Sequence, residues 1–397
     1  MTKGLTRKEW LPLIGMVVAT FVFNSSEFMP IGLLTDIGST FGTDEAQTGF
    51  IVSAYAWAVM ILSLPLMVLA TRVDFRRLFL LVVFVFTFGQ VLSALAVSYE
   101  MLLGARLVVA CAHSVFWAII APIAVRVVHP KHQALALSLV EMGGAVAMVA
   151  GLPLGRTIGL LMSWRSTFAC IAIVSFLLLV YLWRVMPPVA GAEKFSLSNL
   201  PYLFKNKALV GIFILTALYA MGYYAGYSYI EPFFLQVASL KEEVVTVALC
   251  VFGLAGILSS FLYAKGYVKF RFLLLGSAVV GVALCLVLMR FVCLSLGGAL
   301  LICAIWGLCS TIYNIAAQAE IIKVTPGEEQ TVAMAIFSGI FNLGIGTGTL
   351  IGGCTVNNLG IENVGFVGAA IGAVASLYCI LVVIRRLKSA TQKIIEH

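Results

Sequence analysis

The chain is a succession of long apolar runs separated by short polar breaks. The runs cover roughly residues 10–35, 47–70, 78–98, 101–126, 133–159, 166–186, 208–235, 244–264, 272–290, 294–322, 331–356 and 363–385. A membrane-crossing helix needs about 20 apolar residues in a row, whereas a barrel strand alternates over about ten. Backbone in lipid has no third option, because every N–H and C=O must be paired internally. The pattern therefore predicts an all-α membrane protein with twelve transmembrane helices. The longest break, PPVAGAEKFSLSNLPYLFKNK (187–207), falls mid-chain and divides six spans (1–186) from six (208–397). The first run follows MTKGLTRKEW and superficially resembles a signal peptide. It is too long for one and ends without a small-x-small cleavage site, so it is expected to persist as the first helix.

Composition points the same way. Of 397 residues, 62% are hydrophobic and 11% charged, against about 25% charged in a soluble protein. The net charge of +8 invites nucleic acid as a partner, but its placement has another cause. Lys3, Arg7, Lys8; Arg72, Arg76, Arg77; Arg126, Lys131; Arg184, Lys194, Lys205, Lys207; Lys265, Lys269, Arg271; Lys323; and Arg385, Arg386, Lys388, Lys393 all fall on one side of the predicted spans. Only Arg156, Arg165, Lys241 and Arg290 fall on the other. By the positive-inside rule both termini and the central break are cytoplasmic, and no nucleic-acid partner is implied. The nine Cys are scattered singly, without a Cys-x-x-Cys pair, so neither a metal site nor a disulfide framework is indicated. No phosphate-binding glycine loop is present, which argues against an ATP-driven pump, and no cofactor is implied.

The halves echo each other. ALALSLVEMGGAVAMVAGLPLG (134–155) and VAMAIFSGIFNLGIGTGTLIGG (332–353) are both glycine-rich, and the basic loops TRVDFRR (71–77) and KGYVKFR (265–271) each follow the second span of a half. Duplicated, pseudo-symmetric six-helix halves are a layout of transporters whose site lies between the halves.

Polar residues inside the runs carry the candidate chemistry. In FVFNSSEFMP (21–30) Asn24 and Glu27 interrupt the first span, and Arg106 and His113 interrupt the fourth. An ionisable group at such depth is expensive and marks function by default. At 1.5 Å per residue, Glu27 stands roughly 24 Å above the cytoplasmic start of its helix. His113 and Arg106, on a helix running the other way, stand roughly 20 and 30 Å above its cytoplasmic end. Arg106 and His113 are seven apart and share a helical face. Two readings fit. Glu27 and His113 form a proton relay, since imidazole titrates near working pH. Alternatively Glu27 and Arg106 neutralise each other while His113 bonds a backbone carbonyl.

Several motifs together resemble the major facilitator superfamily, in its drug/proton antiporter group, across essentially the whole chain. SEFMPIGLL (26–34) is similar to the Thr/Ser-Glu-Phe-x-Pro-x-Gly-Leu-Leu signature of bacterial sugar efflux transporters of the arabinose and thiogalactoside type. RLVVACAHSVFWAI (106–119), GLPLGR (151–156), WRSTF (164–168), GYSYIEPF (226–233) and AMAIFSGIFNLGIGTG (333–348) resemble their spans 4, 5, 7 and 11 and the turn after span 5. The loop VLATRVDFRR (68–77) departs from the superfamily's Gly-x-Leu-x-Asp-Arg-x-Gly-Arg-Arg, so the contact attributed to that loop is not carried over.

The resemblance implies a monomeric exporter in the bacterial inner membrane that exchanges protons for small sugars by alternating access. It implies that spans 1, 4, 7 and 10 line a cavity, with Glu27, His113 and Arg106 coupling the proton. Sugar hydroxyls call for amides and carboxylates, and sugar C–H faces for aromatic rings. On those spans the candidates are Asn24, Glu27, His113, Trp117, Tyr223, Tyr224, Tyr227, Glu231, Trp306, Tyr313, Asn314 and Gln318, with Asn342 on span 11. Tyr227 and Glu231, four apart, are expected on one helical face. The tyrosines of YYAGYSY (223–229) are expected to line a cavity. Glu320 and Lys323 are expected to pair, Glu141 has no assigned role, and Gly151 and Pro153 are implied in a moving interface. A multidrug exporter for lipophilic cations is the alternative, with Glu27 and Glu231 as anions and tyrosine rings as cation-binding faces. An enzyme is not expected, because His113 has no catalytic or metal-binding partner in the sequence pattern, and a sensor would need an output domain.

Overall fold

The computed structural model describes residues 5–70, 73–189, 203–325 and 330–395. Lys3, Arg72, Lys194 and most of the central break lie outside the described residues, as do the side chains of Lys131, Glu141, Lys265, Lys269 and Lys393. The described chain is helical throughout, with no strand. In order it forms α1 (Arg7–Phe28), a 3-10 turn (Met29–Leu33), α2 (Leu34–Phe41), α3 (Glu45–Ala70), α4 (Phe75–Ala94), α5 (Tyr99–Arg126), α6 (Gln133–Leu161) and α7 (Trp164–Val185). There follow α8 (Lys207–Tyr227), α9 (Ile230–Gln236), α10 (Glu242–Val292), α11 (Leu296–Val324), α12 (Gln330–Leu359), α13 (Val364–Tyr378), a π-helical turn (Cys379–Val383) and α14 (Ile384–Ile395). Among the described residues eleven helical segments are long and apolar enough to cross a membrane. The chain is a multi-pass membrane protein.

Several boundaries differ from the sequence pattern for local reasons. The first span is interrupted after Phe28, where Pro30 supplies no N–H and the backbone tightens into the 3-10 turn. The seventh span is not one helix: α8 ends at Tyr227 and α9 restarts at Ile230. Tyr227 and Glu231 therefore lie on different helices. The loop expected at 265–271 is reduced to one non-helical residue, Phe270, within α10.

The chain separates into two compact units, Met1–Gly42 with Ala54–Phe195 and Thr43–Ser53 with Ser196–His397. Inside the first, α6 lies on α1 through a row of glycines. Gly143 meets Val17, Gly151 meets Ser25, Gly155 meets Met29 and Gly159 meets Leu33. The constant offset means α1 and α6 run parallel, which three intervening crossings require. The second unit repeats the device: Gly344, Gly348 and Gly352 of α12 sit on Ala220, Met221 and Ala225 of α8. Without a hydrophobic driving force between helices in lipid, such close backbone approach is a main source of cohesion. The close approach of Gly151 is thus to α1 of its own unit. A Cβ there would stand 2.5 Å from Ser25 Oγ and 2.9 Å from Ser25 Cα. Gly151→Val is expected to cost about 1–3 kcal/mol, read as a lower unfolding temperature in detergent. Gly104→Val, at an exposed position with nothing within 4 Å, is the control and leaves that temperature near the parent's.

Glu320 has a partner that the sequence spacing did not indicate. It receives a two-point hydrogen bond from Arg271, Nε to Oε1 and Nη2 to Oε2, both 2.5 Å. Three residues along one helix bring side chains near each other, but a guanidinium from α10 offers carboxylate-matched geometry that an ammonium does not.

Candidate functional site

In the first unit, α1, α3, α4 and α5 bring a polar cluster together in an otherwise apolar interior. Its frame begins with Pro30. Because proline has no N–H, the carbonyl of Ser26, four residues earlier, loses its helical donor. Arg106 Nη2 fills that vacancy at 2.9 Å, and Arg106 Nη1 donates to Ser26 Oγ at 3.0 Å. Gln90 Nε2 also donates to Ser26 Oγ, at 2.5 Å. The guanidinium is 1% exposed and lies over the Tyr55 ring at 4.6 Å. Arg106 is therefore spent on the broken end of α1, and no direct Arg106–Glu27 ion pair forms.

Glu27, in the last turn of α1, instead faces His113, with Oε2 3.5 Å from Nε2. The backbone-carbonyl partner considered for His113 does not occur. Its Nδ1 lies 2.6 Å from Tyr55 Oη, and its Nε2 lies 2.6 Å from Trp117 Nε1. Phe23 closes the cluster from α1, stacked between Phe86 and Phe116 at centroid distances of 3.9 and 4.1 Å. Asn24 donates weakly to Gly144 O at 3.4 Å. Asn24, Glu27 and Trp117 are half-buried, and His113 and Arg106 are fully buried. Heights estimated from helical rise placed Glu27 between His113 and Arg106; Glu27 faces His113, and Arg106 is held by Ser26 of the helix that carries Glu27. Tyr55, Gln90 and Ser26 were missed. Their signal was an amide and a phenol inside apolar runs, FTFGQVL and SAYAWAV.

The second unit holds an aromatic cluster. Tyr219 and Tyr313 stack at 3.6 Å, and Tyr313 Oη bonds Thr216 Oγ1 at 3.0 Å. Tyr223 packs on Tyr227 and on Trp306, at 5.0 and 5.6 Å, and Tyr224 packs edge-on to Phe341. Tyr227 also rests on Phe252 at 5.1 Å. All of these tyrosines and Trp306 are buried, so the rings expected to line a cavity pack largely on one another. Tyr229 is taken up by structure, donating to Thr349 O at 3.1 Å. Glu231 is buried on α9. Asn314 and Gln318 are half-buried on α11. Asn342 donates to Ser338 O of its own helix at 3.0 Å. Five buried atoms of this unit have no hydrogen-bond partner among the described residues: Ser53 Oγ, Tyr219 Oη, Trp306 Nε1, Thr325 Oγ1 and Asn342 Oδ1. Tyr219 was not a sequence candidate.

The Major Facilitator Superfamily model matches residues 16–319 and 267–396. A "Probable sugar efflux transporter" of Helicobacter pylori strain J99 is 38% identical over 373 residues, covering 94% of this chain and 95% of that protein. One of the same description from Mannheimia succiniciproducens is 37% identical over 390 residues, covering 96% of each. Among solved structures, a bacterial homologue of the lysosomal transporter Spinster, inward-facing and unoccupied, superposes with a TM-score of 0.77 at 18% identity over 98% of this chain and 99% of that one. A D-xylose–proton symporter gives 0.78 at 13% identity over 93% and 97%. These last two speak to the fold alone. An all-helical membrane chain with a buried carboxylate, imidazole and guanidinium in one unit, matched along its length by this family, is a transporter and not an enzyme: it belongs to the Major Facilitator Superfamily.

Proposed function

We propose that the protein is a proton-coupled exporter of small sugars such as arabinose or thiogalactosides, working by alternating access as a monomer in a bacterial inner membrane. Twelve spans, in halves 1–186 and 208–397 joined by a cytoplasmic 187–207 connection, with both termini cytoplasmic, complete the reading. The observation that carries it is the contact of Glu27 with His113. A carboxyl and an imidazole 3.5 Å apart inside a membrane protein can exchange a proton between them, and a neutral amide or hydroxyl pair cannot. The sugar half of the reading is supported by the names of the relatives. It is also supported by the unpartnered Tyr219 Oη, Trp306 Nε1 and Asn342 Oδ1. Buried polar atoms are almost always hydrogen-bonded, and a polyhydroxylated ligand supplies donors and acceptors to such groups beside an aromatic face. Asn24 and Trp117 offer a second polar and aromatic pair in the other unit.

The test is transport in proteoliposomes with an imposed pH gradient, following labelled arabinose and a labelled thiogalactoside. Gradient-driven accumulation that is lost in His113→Ala is the expected result. Failure of both sugars, with movement of a lipophilic cation in their place, would overturn the substrate class and leave the fold intact.

A further inference from the structure

The hydrogen bonds around His113 determine where its proton is. Indole N–H is a donor only. With Trp117 Nε1 2.6 Å from His113 Nε2, Nε2 must accept, and it carries no hydrogen. The single proton of the neutral ring is then on Nδ1, donated to Tyr55 Oη at 2.6 Å. A doubly protonated ring would set two N–H groups against each other across the Trp117 contact. Glu27 reaches toward this same Nε2, at 3.5 Å, beyond ordinary hydrogen-bond length. The lone pair through which His113 would exchange a proton with Glu27 is already occupied.

The occupying group is placed to be removed. Trp117 is half-buried, whereas the ring it caps is 1% exposed. Beside the indole lies Gly144 of α6, where a Cβ would stand 3.9 Å from Trp117 Cη2 and 3.0 Å from Asn24 Nδ2. A side chain there would crowd Asn24, so the glycine lets this amide sit close beside the indole edge. The charged or titratable groups facing His113 are Glu27 from α1, Tyr55 from α3 and Arg106 from α5 itself. Arg106 is committed to Ser26, so Glu27 is the group left to exchange with Nε2.

We infer that Trp117 is a ligand-operated latch on the proton site: its indole N–H closes the His113 Nε2 lone pair, and a sugar hydroxyl that accepts this N–H opens Nε2 to Glu27. This rests on the sugar-exporter reading for the identity of the ligand. Once the latch is open, a proton on Glu27 Oε2 passes to Nε2. One O–H bond breaks and one N–H bond forms, leaving a carboxylate beside an imidazolium that still donates Nδ1–H to Tyr55. Without sugar the transfer is blocked, so the protein does not leak protons. Tyr55 acts through His113 as a positioning residue: it holds the tautomer that aims the empty lone pair at Trp117 and Glu27.

Two measurements test this. The first is the 15N spectrum of histidine-labelled protein in detergent without sugar, with His113→Gln identifying the His113 signals among the four histidines. The expected result is a protonated Nδ1 and a hydrogen-bonded, unprotonated Nε2, with Tyr55→Phe mixing the tautomers. A protonated Nε2 in the parent overturns the latch. The second compares parent and Trp117→Phe proteoliposomes carrying an internal pH dye. The variant keeps an aromatic face but has no N–H. It is expected to leak protons roughly tenfold faster than the parent in the absence of arabinose. A variant that stays proton-tight overturns the latch. If the parent moves no arabinose, the sugar-exporter reading fails, and the sugar-free spectrum still decides whether Trp117 closes Nε2.

Discussion

Glu27→Gln is expected to lower pH-gradient-driven arabinose accumulation by about 100-fold or more, the range lost when a proton-transfer group is removed. The substitution keeps the volume of the side chain and its place in the last turn of α1, and it removes the one atom pair that can gain and lose a proton opposite His113. The frame should survive, because Arg106 is anchored on Ser26 O and Oγ and not on the carboxylate. Expression and unfolding temperature should therefore stay near the parent's. Exchange of labelled for unlabelled arabinose without a gradient should persist, and it should lose its dependence on pH across the range where carboxylates and imidazoles titrate. A fall in exchange together with a raised KM would place Glu27 in sugar binding as well as in coupling. Full gradient-driven accumulation in the variant would remove Glu27 from the proton path.

The second large effect lies in the second unit, at Arg271 and Glu320. Their side chains are 14% and 2% exposed, and they meet through two parallel hydrogen bonds. Removing the cation from such a pair takes two charge-assisted hydrogen bonds from a buried carboxylate. Arg271→Ala is expected to cost about 3–5 kcal/mol, a fall in unfolding temperature of about 10 °C. Replacing both members with apolar residues of similar size, Arg271→Met with Glu320→Leu, is expected to recover most of the loss, because neither charge then has to be desolvated. An Arg271→Ala protein that unfolds at the parent's temperature would put the pair in the class of exposed ion pairs, which contribute little.

The fold class was legible along the chain because lipid leaves the backbone so little choice. Run length alone separates helix from barrel strand, and the distribution of Lys and Arg supplies an orientation to test. The level of Glu27, His113 and Arg106 was legible too, since helical rise converts residue number into height. What the sequence did not contain was rotation about each helix axis. In water an apolar stripe marks the inward face. Here the lipid-facing surface is as apolar as the interior: on α4, Phe84 and Phe88 are 55% and 50% exposed while Phe79 and Phe86 are fully buried, and nothing in their chemistry distinguishes them. That is why Tyr55 and Gln90 passed as ordinary members of apolar runs, and why the tyrosines after Tyr223 were read as a cavity wall when they stack largely on one another. It is also why Arg271, the bidentate partner of Glu320 from another helix, was not legible from spacing along one helix. Composition, run length and charge placement determined that this is a helical, multi-pass membrane protein with ionisable groups at depth. Only the packing of α1, α3, α4 and α5 decided that Arg106 serves the carbonyl that Pro30 leaves open, and that Trp117 donates to the same His113 nitrogen that Glu27 faces. Hydrogen-bond direction depends on how helices are rotated against each other, and a uniformly apolar sequence does not encode that rotation locally.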